Sequence, residues 1–157
     1  MSDVFKVEFW SRAMHKLDPK GRVSIPADWR AALGQKLVLL QATHKKRYNI
    51  LKCFTKEAFD QKINEIRTSA KELGATPGQI DEYVGSIISS ADSAEVSTQG
   101  KILIPKDERE HLKVKEYVQF VGRGSMFEIW LPEDYNAEYS PEKLAENPLE
   151  KHFCMFT

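Results

Sequence analysis

The chain has 157 residues, 41% of them hydrophobic, with 23 Lys/Arg against 23 Asp/Glu. That is long enough to bury a core as one domain or two small ones, and no apolar run approaches the roughly 18 residues that suggest a membrane span. The zero net charge excludes a uniformly basic nucleic-acid binder, but the charge is segregated: +7 over residues 1–52, −3 over 53–131 and −4 over 132–157. A basic front and an acidic back suit a protein that shows one face to a polyanion, and an ordinary surface of uneven charge gives the same numbers.

The N-terminus lacks a charged-then-apolar signal pattern. Cys53 and Cys154 form no Cys-x-x-Cys pair, which predicts two free thiols in a reducing, cytoplasmic setting. Phe5, Val7 and Phe9 alternate with Lys6, Glu8 and Trp10 as an opening strand would. Residues 13–17 lead into a turn, Asp18-Pro19-Lys20-Gly21, followed by a short β-type run with Val23 and Ile25. Pro26 closes the run and opens a short helix over residues 26–33, with Gly34 as its stop. Residues 36–41 and 48–52 read as two paired strands joined by an exposed Lys45-Lys46-Arg47 connection.

Two helices come next. Phe59, Ile63, Ile66, Ala70 and Leu73 fall at helical spacing behind Thr55 as N-cap, and Gly74-Ala75 breaks the pattern. Thr76 caps the second helix, Pro77 takes its first position, and Ile80, Val84, Ile87 and Ile88 form its stripe. Such a hairpin is too small to stand alone and is expected to lie on the rest of the chain or on a neighbouring copy. Residues 117–121 and 126–131 read as strands around a Gly122–Ser125 turn, residues 132–135 and 140–146 as short helices, and 151–157 as an aperiodic tail.

The run at residues 17–26 returns at residues 96–105. Gly21 matches Gly100, Arg22 matches Lys101 and Pro26 matches Pro105, while Arg30 and Leu33 sit at the same offset as Arg109 and Leu112. The repeated unit reads as strand, basic turn, strand, short helix. Asp18-Pro19-Lys20-Gly21-Arg22 resembles the Asp-x-x-x-Arg signature of the MraZ family, and Val121-Gly122 with Phe127-Glu128-Ile129-Trp130 is similar to the tail of that family's second unit. The second signature departs from the pattern, with Ser97 for Asp and Lys101 for Arg.

The resemblance implies an α+β, β-rich fold. Two tandem swapped-hairpin (SpoVT/AbrB-like) units at residues 5–54 and 91–135 would form a pseudo-dimeric, double-ψ-like β-barrel. A helical hairpin at 55–90 would connect them, and an acidic helix and tail would occupy 136–157. It also implies a nucleoid-associated regulator, usually a repressor, acting as a ring-shaped homo-oligomer on repeated double-stranded DNA boxes before the division and cell-wall gene cluster.

From the residues themselves, Arg12, Lys16, Lys20 and Arg22 flank or occupy the first turn, with His15 among them. Lys and Arg can neutralise phosphates, and Arg can read guanine through two hydrogen bonds. Lys101 is the weaker copy. Asp18, Gly21 and Gly100 are turn residues, with Asp18 capping amides or orienting Arg22; a plain surface ion pair of Arg22 with Asp18 is the alternative. Trp29 and Trp130 read as core, and Trp10 is ambiguous.

No two histidines have metal-ligand spacing, and no nucleophile elbow or phosphate loop occurs. Neither metal, cofactor, small-molecule substrate nor enzymatic activity is therefore expected. An oligomeric scaffold, with the acidic tail and helical hairpin as its surfaces, is the second reading.

Overall fold

The computed structural model describes residues 6–157, and the β-type runs become eight strands. These are β1 (Arg12–Lys16), β2 (Arg22–Ser24), β3 (Lys36–His44), β4 (Tyr48–Thr55), β5 (Asp92–Glu95), β6 (Lys101–Leu103), β7 (Tyr117–Gly122) and β8 (Phe127–Trp130). Six form an antiparallel sheet in the order β1-β7-β8-β4-β3-β5, and β2 and β6 form a separate two-stranded ribbon. The helices are α1 (Lys56–Glu72), α2 (Pro77–Ser90), α3 (Lys106–Leu112), α4 (Pro132–Glu138), α5 (Pro141–Ala145) and α6 (Glu150–Phe153), with a 3₁₀ helix at Ala27–Ala32.

The fold is therefore α+β with one large antiparallel sheet, and the expected barrel does not close. The sheet ends at β1 and β5, and the ribbon stands apart. Each ribbon strand is three residues long. Pro26 and Pro105 come soon after and have no N–H with which to extend a ladder. The pairings cross the repeat: β1 runs against β7, β5 against β3, and β2 against β6.

Val23, Ile25, Ile102 and Ile104 are buried beneath the ribbon, in a core shared with Phe9, Trp29, Phe120 and Phe127. Trp29 stacks at 5.0 Å from Phe127 and 5.6 Å from Phe9, and its indole N–H donates to the Trp10 carbonyl at 2.8 Å. Trp130 is equally buried in a second cluster with Tyr48, Ile50 and Val121, covered by Tyr135 and Tyr139. The Trp10 side chain lies mostly in solvent.

The two central helices begin where their caps predict. Thr55 Oγ1 accepts from the Ala58 amide at 3.1 Å, and Thr76 and Gln79 form a reciprocal capping box. Within this pair only Phe59 and Val84 are buried. Phe59 rests on Phe54 at 5.7 Å, whereas Leu73, Tyr83 and Ile88 are exposed.

Several expectations change. Phe5 lies outside the described residues, and Phe9 makes only an isolated bridge to Gly124 rather than part of an opening strand. The segment after Pro26 is 3₁₀ while its counterpart α3 is α-helical. Both segments carry acids in the first turn and basic residues in the last, so charge does not separate them; Trp29, in the middle of the 3₁₀ segment, is drawn into the core. The tail is organised around Glu150, whose carboxylate accepts from the amides of Met155 and Phe156 at 3.0 and 2.9 Å.

Trp29→Ala is expected to lower unfolding free energy by about 3–5 kcal/mol in urea titrations. Trp10→Ala, which leaves the backbone carbonyl in place, should change it by no more than about 0.5 kcal/mol.

Candidate nucleic-acid interface

The two turns share one hydrogen-bond frame. In the first, the Asp18 amide donates to the Arg22 carbonyl and the Gly21 amide to the Asp18 carbonyl, both at 2.9 Å. In the second, the Ser97 amide donates to Lys101 at 2.8 Å and the Gly100 amide to Ser97 at 2.9 Å. Gly21 and Gly100 have φ of 89° and 76°, a region where a side chain is strained.

The side chain at the head of each turn decides how the turn's cation is held. Asp18 Oδ1 accepts from the amides of Lys20 and Arg22, both at 2.9 Å, while Oδ2 accepts from Arg22 Nε at 2.7 Å. The Arg22 amide, foremost among these donors, holds the Asp18 carboxyl below its usual range despite opposing desolvation. Ser97 Oγ repeats only the amide contacts, with Gln99 at 3.3 Å and Lys101 at 3.1 Å. It has no second oxygen for the cation, so Lys101 is presented without an orienting partner among the described residues.

The ribbon then joins the two cations. Arg22 lies opposite Leu103, and Ser24 opposite Lys101. Val23 and Ile102 point inward, leaving Arg22, Ser24, Lys101 and Leu103 on the outer face. Arg22 and Lys101 are thus diagonal neighbours, roughly 7–8 Å apart at the backbone. The Arg22 side chain is 52% exposed, and Lys20 is exposed in the turn beside it.

Each turn is braced from the opposite half. The Ile104 amide donates to the Gly21 carbonyl at 3.0 Å, and the Ile25 amide donates to the Gly100 carbonyl at 2.9 Å. The Arg109 guanidinium lies against Gly21 and donates to the Lys20 carbonyl at 3.1 Å. Arg30 lies against Gly100 and donates from Nε to the Ile25 carbonyl at 3.1 Å. A Cβ on either glycine would run into the arginine. The matching offsets of Arg30 and Arg109 were visible in the sequence; their reach across the halves was not.

The remaining candidates separate. Lys16 stands at the end of β1 next to the first turn, but its Nζ is 3.0 Å from Glu116 Oε1. That hydrogen bond is the main cause of its raised pKa. Arg12 shares the exposed face of β1, yet lies four residues away, about 13 Å along an extended strand. His15 is turned to the other face, edge-on to Phe120 at 5.5 Å, and burial, with the charge of Arg30 as the smaller cause, lowers its pKa. Among the described residues, no group of three or more His, Cys, Asp or Glu could hold a metal ion, and no helix is long and apolar enough to cross a membrane.

The helix bearing Arg109 is itself fixed. His111 Nε2 lies 2.9 and 3.0 Å from the carbonyl oxygens of Ala42 and Ile50, so that nitrogen carries a proton. Asn49 donates to the His111 carbonyl at 2.9 Å. Glu108 is buried beneath the helix, with Oε2 accepting from Gln41 Nε2 at 3.0 Å. Burial above all, with the neighbouring Asp92 carboxylate next, raises its pKa to about 7, and its Oε1 is buried without a hydrogen-bond partner.

These features define an α+β chain that displays a two-stranded basic ribbon, with one strongly oriented arginine and one freer lysine. A family model described as "MraZ protein, putative antitoxin-like" matches residues 87–154. "Transcriptional regulator MraZ" of Thermoanaerobacter sp. (strain X514) is 33% identical over 138 residues, covering 85% of this chain and 91% of that protein. The protein of the same name from Caldanaerobacter subterraneus subsp. tengcongensis is 36% identical over 126 residues, covering 80% and 82%. That from Rickettsia canadensis is 29% identical over 127 residues, covering 81% and 83%. The chain belongs to the MraZ family.

Gly21→Ala is expected to destabilise the fold by about 1–3 kcal/mol, because it combines backbone strain with displacement of Arg109; chemical denaturation measures it. Glu108 has a folded pKa above its ordinary 4.5, so its contribution is present below that value and lost as pH rises towards about 7. Melting temperature should fall over that window, and Glu108→Gln should flatten the fall.

Proposed function

We propose that this protein is a transcription regulator that binds double-stranded DNA through the β2–β6 ribbon. The observation that carries the reading is the pair of outward-facing cations, Arg22 and Lys101, on one short ribbon. A two-stranded ribbon fits the major groove of B-form DNA, which is about 12 Å wide. Asp18 engages Arg22 through Nε, which leaves the two terminal amino groups available as a fork suited to guanine O6 and N7. Lys20 and Lys101 supply phosphate contacts, as Lys16 does once released from Glu116, and Arg12 extends the same charge along β1. Asp18, Gly21 and Gly100 set the turns.

The crossed strand pairings and twin turns support a duplicated origin, with residues 5–54 and 91–135 as two exchanged hairpin units, 55–90 as the connecting helical pair and 136–157 as an acidic tail. One ribbon per chain gives few base contacts. Several copies in a closed ring, engaging repeated short boxes, would add modest contacts into tight binding. The exposed Leu73, Tyr83 and Ile88 of the helical pair support self-association. The names of the relatives support regulation. The protein then acts in the cytoplasm at the nucleoid, on the promoter of the division and cell-wall gene cluster, as a repressor and without a catalytic step or cofactor.

Fluorescence anisotropy with the gene's own upstream duplex tests this. Arg22→Ala should weaken specific binding by about 1–3 kcal/mol, and Lys101→Ala should cost less. Unchanged affinity in both variants would reject the ribbon as the interface.

A further inference from the structure

Beside the first turn lies an open cleft of about 890 Å³, walled by that turn, by α3 and by the segment leading to β7. Its acids are already engaged. Asp18 holds Arg22 at 2.7 Å, Glu116 holds Lys16 at 3.0 Å, and Glu110 faces Lys106 at 3.9 Å. Lys113 and Lys115 line the cleft, are exposed, and have no ion-pair partner among the described residues. Arg109 lies in the same wall, where it holds the Lys20 carbonyl. The cleft is therefore cationic after its internal pairs are counted, and it adjoins the turn that presents Arg22.

The helix end accounts for one of these lysines at most, and the repeat for the other. Lys113 closes α3 at φ 61° and ψ 42°, the left-handed region in which glycine is the cheap choice. A cation near the last carbonyls of a helix is favourable in itself, but Lys115 lies beyond the helix and gains nothing from them. By the offsets of the repeat, Lys16, Lys106 and Lys113 correspond to Glu95, Ala27 and Gly34 beside the second turn, while Lys115 corresponds to Lys36, which lies opposite Glu95. The second turn thus keeps a counterpart of Lys115 only, and its approach strand is acidic where the first is basic.

We infer that this cleft is a second DNA contact, gripping the sugar-phosphate backbone beside the first turn through Lys113 and Lys115. The inference deepens the proposed function and rests on it. Arg22 reads bases from the ribbon, the lysines of the cleft neutralise phosphates flanking that site, and the sparser cations beside Gly100 make each chain grip the duplex more strongly at one end. A backbone contact is blind to sequence and releases counterions, whereas the arginine contact discriminates between sequences.

The test is anisotropy with the upstream duplex and with a scrambled duplex of equal length, between about 50 and 200 mM salt. The Lys113→Ala/Lys115→Ala protein should weaken both duplexes by the same factor and lower the salt slope by about 2 per bound chain. Lys113→Arg/Lys115→Arg should restore the slope. An unchanged slope, or a loss confined to the upstream duplex, would overturn the cleft as a backbone contact. Arg22→Ala is run alongside: loss of discrimination there with an unchanged slope in the double variant would sink only the cleft, whereas intact discrimination in Arg22→Ala would sink the ribbon reading as well.

Discussion

The structure depends on a reciprocal brace between two glycine turns. Each turn offers its glycine carbonyl to an amide of the other half, Ile104 to Gly21 and Ile25 to Gly100. Each also receives an arginine from the other half across the space that a Cβ would fill. Everything presented on the outer face of the ribbon is thereby tied to residues about half a chain away. The apolar sides of the same strands, Val23, Ile25, Ile102 and Ile104, anchor the brace in the core. A flexible loop with the same charges would lose more conformational freedom on meeting a ligand.

The brace also explains why two turns of one design differ in strength. Their backbone hydrogen bonds match offset by offset, so the departure at Ser97 costs little in shape. It costs the orienting contact, because a hydroxyl cannot both accept the turn amides and hold a cation as a two-oxygen carboxylate does. Arg22 is consequently aimed, while Lys101 is merely displayed. The surroundings reinforce the difference, with lysines gathered beside the first turn and Glu95 standing before the second.

Much of this was legible in the sequence wherever physics is local. The repeat, both glycine turns, the closing prolines, the Thr55 and Thr76 caps and the burial of Trp29 and Trp130 all come from spacing and residue type. What escaped was non-local or weakly patterned. β5 reads Asp-Ser-Ala-Glu, polar enough to pass for a loop, and becomes a strand because β3 offers it an edge. Lys45 and Lys46 take left-handed conformations without glycine or asparagine. Lys45 is held there by Glu138, 2.7 Å away and 93 residues on. The residues of the candidate site could be named from the sequence but their partners could not: Glu116 against Lys16, the inward turn of His15, and Arg109 beneath Gly21 depend on contacts that no spacing encodes. The barrel was expected from likeness alone, and strands of three residues ended by proline cannot extend to close one.

The most direct measurement of the central claim is an amide-by-amide NMR titration of the isotope-labelled protein with duplex DNA carrying the upstream sequence. If a braced ribbon meets the groove, the strongest shifts will map to residues 20–24 and 100–103, with Asp18 and Arg109 responding through the brace. Perturbations confined to α1, α2 or the tail, with the ribbon silent at saturation, would contradict it.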